Sequence, residues 1–253
     1  QIINAEDESR NVVPFSADDE RMMLHFASVA AVALERAQMT RAILLRMIHM
    51  AEMRDPKETG AHVNRVGGYA VELYERWARR RNLSQKEIDQ CRDILRMAAM
   101  LHDVGKIAIS DLILKKPGRL NKSEFVTMKQ HTILGARLFS DRQSDFDEAA
   151  AEVALNHHER WDGKGYPRGI TKEEIPLKSR IIAVADAFDA MVSLRSYRTT
   201  LSHQEALQEL LDHAGSQFDP EIVDIFLELG SNGDHIGKNS FHPVQILSQD
   251  PAL

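Results

Sequence analysis

Apolar residues recur at helical spacing along most of the chain, and the breaks between the runs are marked by Pro and Gly. No Pro or Gly interrupts residues 15–55. Ser16 is placed to cap a helix whose first turn holds Asp18, Asp19 and Glu20, where the helix dipole favours anions. Phe26, Val29, Ala30, Ala33, Leu34 and Ala37 then repeat on one face, and Leu44, Met47, Ile48 and Ala51 resume the stripe. The pattern predicts one long helix, with room for a single break. Such a helix commonly pairs with a copy of itself or links two domains. Residues 1–17 read as irregular chain or the end of a strand. From residue 61 nearly every segment is helical in pattern: 63–81, 84–101, 121–140, 147–158, 178–193, 203–214 and 220–229. The second of these opens on a Ser84-Gln-Lys-Glu87 capping box. No alternating strands stand out, so the expected fold is an all-α bundle behind a long N-terminal helix. Residues 230–253 lack periodicity and read as a tail.

Composition narrows the function. The 253 residues are 43% hydrophobic and 28% charged, enough to bury a core. A net charge of -6 argues against binding a nucleic acid polymer but not against a small anion held by local cations. A single cysteine, Cys91, excludes an intramolecular disulfide framework and fits a reducing, cytoplasmic compartment. No apolar run reaches the ~20 residues of a membrane span, so no membrane partner is expected. Gln1 opens no basic signal segment, and the missing initiator Met points to a fragment.

Histidines and carboxylates at helix ends and on inward helix faces carry the candidate chemistry. Glu58 and His62 stand four apart and share a helix face, as two ligands of one metal or as a surface pair. His102 and Asp103 close the apolar helix MAAMLHDVGKI, which Gly105 is placed to terminate. A semi-buried Asp there needs a partner or a metal, and Lys106 one turn on adds an ammonium. His131 lies on the apolar face of its segment. His157 and His158 are adjacent, and neighbouring helical side chains diverge by about 100°, so they suit two metals or two edges of a cluster better than one ion. Asp186 sits in IIAVADAFDAMV, apolar nearly all round, where a carboxylate demands a partner; Arg180 or Arg195 would serve a plain salt bridge. Each signal has a structural alternative. Together Glu58, His62, His102, Asp103, His131, His157, His158 and Asp186 form a His/carboxylate set without thiolate. That set disfavours structural zinc and suits hydrolytic metals such as Fe or Mn. It exceeds one ion's need, and paired ions are typical of phosphoester hydrolysis.

The blocks LHDVGKIAI, KPGRL, EFVTMKQH, HHERWDGKGYP, IPLKSRIIAVADAFDAM and FDP occur in an order and spacing that resemble the HD-GYP family, from about Arg54 to Leu229. The resemblance implies an HD-domain-like helical fold and a bacterial signalling phosphodiesterase that opens cyclic di-GMP to pGpG and in some members continues to GMP. It implies that His62, His102, Asp103, His131, His157, His158 and Asp186 are metal ligands, with Glu58 the extra carboxylate of three-metal members. Iron is the metal most associated with such sites, and manganese also works. Lys106 matches a lysine beside the scissile phosphate; Tyr166, Arg195 and Arg198 match dinucleotide contacts. Asp103 and Lys106 would carry the catalysis. Two departures, Met191-Val192-Ser193 for Leu-Thr-Ser and Arg195-Ser196-Tyr197 for Arg-Pro-Tyr, bear on affinity or nucleotide preference rather than on the ligands.

VVPFSADDERMMLHFASVAAVALERAQ resembles the last strand-to-helix portion of a GAF sensory domain. The resulting division is residues 1–40 as sensory remnant and start of the linker helix, 41–229 as catalytic domain, and 230–253 as tail. The helix would then pair two protomers in a homodimer. Two rivals stand beside cyclic di-GMP hydrolysis. One is the same chemistry on cyclic GMP-AMP or linear pGpG. The other is a non-catalytic module that binds a nucleotide or a diguanylate cyclase partner.

Overall fold

The computed structural model describes residues 5–6, 10–54, 60–193 and 200–231. The chain divides into two compact units, residues 1–47 and 48–253. In the first, β1 (Ala5–Glu6) pairs antiparallel with β2 (Val12–Val13), with Ala5 opposite Val13. The long helix α1 (Ala17–Arg54) follows without a break. Its start is the expected cap: Ser16 Oγ accepts from Asp19 N at 3.2 Å, and the Asp19 carboxylate accepts from Ser16 N at 2.8 Å. The apolar stripe on its first half is uncovered, with Phe26 64%, Val29 55% and Leu34 63% exposed.

The second unit is a helical bundle: α2 (Gly60–Arg80), α3 (Gln85–Met100), a short 3-10 turn (Val104–Ala108), α4 (Asp111–Leu114), α5 (Lys122–Arg137), α6 (Asp145–Asn156), α7 (Leu177–Val192), α8 (His203–Asp212) and α9 (Pro220–Ser231). Helix α2 packs on α3, α7 and α9, and α6 packs on α3, α5 and α7. Small residues at the crossings, among them Ala70, Ala98, Ala99, Ala150, Ala154 and Ala185, are wholly buried and let the backbones approach. Larger side chains fill the junction of α2, α7 and α9, where Tyr69, Phe188 and Phe226 meet with centroids 4.6–6.2 Å apart.

Capping fixes where these helices begin. Ser84 and Glu87 form the expected box on α3. Asn121 and Glu124 do the same on α5, and Ser202 and Glu205 on α8. Long-range ion pairs then close the bundle. Arg180 on α7 binds the buried Asp219 just before α9. Arg54 binds the carbonyls of Ile107 and Ile109 together with Asp111. The site is carried by helix ends, at His62, His102, Asp103, His157 and His158, together with the inward faces of α5 and α7, at His131 and Asp186.

Candidate metal centre

Helix α3 stops at Met100, and the chain turns so that His102 is fully buried and Asp103 nearly so. Gly105 does not end this helix, contrary to the sequence expectation. It lies inside the 3-10 turn, where a Cβ would come 1.9 Å from His131 O and 2.4 Å from Gly135 N. The glycine therefore lets α5 approach, and it places His131 Nε2 3.1 Å from Asp103 Oδ1. Helix α6 ends at Asn156, with His157 as its C-cap. His157 Nε2 lies 3.5 Å from the same Asp103 oxygen and 3.4 Å from His131 Nε2. His158 follows beyond the helix, so the helical divergence of neighbours does not apply to it. Its ring stands 4.1 Å from that of His157, and both face one donor group.

Two donor groups result. Asp103, His131, His157 and His158 form a quartet, and His62, His102 and Asp186 form a trio; within each, the donor atoms lie within 4.8 Å of one another. His62 Nε2 is 3.4 Å from Asp186 Oδ1. The groups adjoin through His102 Nε2, 3.2 Å from Asp103 Oδ2. All the predicted histidine and aspartate ligands thus converge. Glu58, Arg195 and Arg198 lie outside the described residues.

The imidazoles are oriented before any ion arrives. Nδ1 of His102 donates to Ala99 O at 2.7 Å, that of His131 to Met128 O at 2.7 Å, and that of His157 to Val153 O and Ala154 O at 3.1 Å. With the proton on Nδ1, Nε2 presents a lone pair. His131 and His157 therefore aim lone pairs at each other and at Asp103 Oδ1, a buried oxygen without a hydrogen bond. Such an arrangement repels unless a cation lies between. A proton is a poor choice, because burial pushes His157 down and His158 well below the usual imidazole range. Burial pushes Asp103 up, but the Lys106 ammonium, with Nζ 2.6 Å from Oδ2, leads the interactions that hold the carboxyl well below the usual range. Neutral imidazoles around an ionised carboxylate are what a divalent cation requires.

The carboxylate most deeply buried on α7 is Asp189, not Asp186, which is partly exposed. Ser193 Oγ, one turn on, donates to Asp189 at 3.1 Å, but its charged partners come from α2. Asp189 accepts from His62 Nδ1 at 2.7 Å and from both Nε and NH2 of Arg65, the latter at 2.9 Å. Burial opposes its ionisation, yet His62 and Arg65 pull it down to about 2. Asp189 thus sets the His62 tautomer from behind the trio. The sequence marks Asp189 as one turn beyond Asp186; nothing in it marks Arg65.

The loop after His158 is tied down separately. Glu159 is buried and accepts from Gly169 N at 3.0 Å and Arg168 N at 2.7 Å. Tyr166 N donates to His158 O at 3.2 Å, and Gly165 packs where a Cβ would lie 2.4 Å from Arg160 N. The Tyr166–Pro167 bond is cis. This folding sets the Tyr166 ring against His158, with centroids 4.8 Å apart and planes tilted by 32°. Sequence reasoning assigned Glu159 no part in this loop, because an isolated glutamate gives no sign of being buried.

Comparison with known proteins is consistent with this geometry. The family model described as HD domain matches residues 30–222. A cyclic di-GMP phosphodiesterase of Thermotoga maritima is 45% identical over 187 residues, covering 74% of this chain and 48% of that protein. A Vibrio cholerae protein named 3'3'-cGAMP-specific phosphodiesterase 2 is 37% identical over 189 residues, covering 75% of this chain and 34% of its own. The chain thus spans about half the length, or less, of these curated relatives. Among solved structures, a cyclic GMP-AMP phosphodiesterase of V. cholerae matches with a TM-score of 0.49 at 22% identity, covering 76% of this chain and 48% of that one.

Proposed function

The chain belongs to the HD domain family, and from that membership we propose that it is a metal-dependent phosphodiesterase of the HD-GYP type, opening cyclic di-GMP to pGpG. One observation carries the reading. Two adjoining donor groups share the His102–Asp103 corner, with neutral imidazoles and an ionised carboxylate aimed at common points. Divalent ions held there would activate water and neutralise the phosphate oxygens. The oxygen and nitrogen donors suit iron or manganese, and Glu58 is proposed to add a ligand for a third ion.

The remaining roles fall to this chain's own groups. Asp103 is proposed to serve both donor groups, since one oxygen faces His131 and His157 while the other faces His102 and Lys106. The half-buried Lys106 ammonium stands ready to stabilise charge on a non-bridging phosphate oxygen. Hydrolysis breaks the bond between phosphorus and the 3′ oxygen, which leaves as the 3′ hydroxyl; water supplies the new oxygen on phosphorus. Tyr166 forms the wall on the substrate side, and Arg195 and Arg198 are proposed to hold phosphates or guanine edges.

The similarity to a 3'3'-cGAMP phosphodiesterase favours a second reading, with cyclic GMP-AMP as the substrate. Turnover of cyclic di-GMP, cyclic GMP-AMP and pGpG side by side separates the two. A bacterial cytoplasmic setting follows from either substrate, and a diguanylate cyclase is a fitting partner. No helix among the described residues is long and apolar enough to cross a membrane. The uncovered apolar stripe on α1 supports pairing of two protomers through that helix. The strand-to-helix order of β2 and α1 supports a GAF-like remnant ahead of it.

The test is metal analysis with cyclic di-GMP turnover, on the wild type and on His102→Ala/Asp103→Ala. The double variant should lose bound metal and at least about 10³-fold in turnover, since both donor groups lose a member. Unchanged metal and turnover would sink the proposal.

A further inference from the structure

No carboxylate among the described residues answers the charge of Lys129. Among the described residues its ammonium makes no ion pair. Nζ instead stands over two rings, 4.8 Å from the centroid of Phe125 and 4.8 Å from that of Tyr166. Phe125 lies one turn earlier on α5, and Tyr166 comes from the loop after α6. The two rings meet edge to face, with centroids 6.2 Å apart at 78°. The ring faces hold the ammonium in place through their quadrupoles but leave its charge uncompensated. A lysine spends much side-chain entropy on being fixed, so a fixed and unpaired one is poised for an anion.

Its position says which anion. Tyr166 is a shared neighbour: its ring contacts Lys129 and also lies 4.8 Å from the His158 ring and 6.5 Å from that of His131. Lys129 therefore borders the donor quartet without entering it. Lys106 already faces Asp103, where a scissile phosphate would sit. The site thus offers two lysines to two separate anionic groups. Phe125, 45% exposed beside the ammonium, adds an open aromatic surface suited to a nucleobase.

We propose that Lys129, held between Phe125 and Tyr166, is the subsite for the substrate phosphate that is not being cleaved. The inference rests on the cyclic dinucleotide reading of the site. It separates substrates by the number of phosphates they carry. A cyclic dinucleotide has two phosphodiesters on one ring and engages both lysines; a diester with a single phosphate engages only the inner one.

The experiment compares wild type, Lys129→Met and Lys129→Arg on cyclic di-GMP and on bis(p-nitrophenyl) phosphate, with metal content measured throughout. For Lys129→Met, kcat/KM on cyclic di-GMP should fall roughly tenfold or more beyond any fall on the aryl diester, the scale of one charge-assisted hydrogen bond. The loss should appear mainly in KM, metal content should match wild type, and Lys129→Arg should restore most of the loss. Equal losses on both substrates, or lost metal, would mean that Lys129 only props the loop, and the inference is overturned. No loss on either substrate overturns it as well. A wild type that cleaves the aryl diester but neither cyclic di-GMP nor cyclic GMP-AMP overturns the substrate reading, and this inference falls with it.

Discussion

The quartet and the trio are built from the same residue types, but one histidine of the trio is oriented by a different means. In the quartet, His131 and His157 are set by carbonyls three or four residues back on their own helices. Their tautomers follow from local helix geometry. In the trio, His102 is set in the same local way by Ala99 O, but His62 is set by Asp189, 127 residues away, which Arg65 in turn holds. Only the packing of α2 on α7 makes that arrangement. The quartet is therefore as robust as its helices, whereas the trio is as robust as one interhelical contact.

The sharpest way to break the contrast is to attack the quartet through its backbone. Gly105→Ala places a methyl group against His131 O and Gly135 N, and neither can yield without moving α5. It should cost about 3 kcal/mol or more of stability and empty the quartet of metal. Thermal melts with metal analysis check both; a wild-type melt would show that α5 is free to shift. Asp189→Asn addresses the trio alone. Removing the carboxylate that orients His62 should weaken metal binding there about 10–100-fold while leaving the quartet occupied. A chelator titration should then split into a weakened and an unchanged class of sites, and a uniform weakening would refute the division.

The smallest expected effect is on pH dependence without metal. Burial keeps His157 and His158 neutral in the folded chain, whereas unfolded imidazoles take up a proton near the usual 6.5. The unfolded state therefore binds more protons as the pH falls below that value, and stability declines in that direction. Chelated protein should melt at lower temperature at pH 5.5 than at pH 7.5, and His158→Gln should flatten the slope. An unchanged slope in the variant would place the titration elsewhere.

Much of the helical architecture was legible in advance because its signals are local. Ser16, Ser84 and the apolar periodicity mark helix starts and faces within a few residues, and a cap satisfies backbone groups whatever the rest of the chain does. Asp103, His102, His157 and His158 were legible for a related reason, since a polar residue at the end of an apolar helix needs company when buried, and His131 was legible from its place on an apolar face. Gly105 shows the limit. Its spacing suggested a helix stop, but its role is to admit another helix, and that need arises only once α5 has docked.

By itself the sequence determined most of the helices, the caps at Ser16 and Ser84, and a candidate donor set without thiolate, because each depends on residue types and local spacing. The tertiary structure alone decided that His157 and His158 share one donor group, that Asp189 rather than Asp186 is the deeply buried carboxylate of α7, that its cation is Arg65, and that Lys129 meets Tyr166. These outcomes depend on side chains and helices brought together from distant parts of the sequence, such as Asp103 and His131 around the adjacent His157 and His158. Their distances are fixed by how helices pack and where the chain turns after them, which no local pattern encodes.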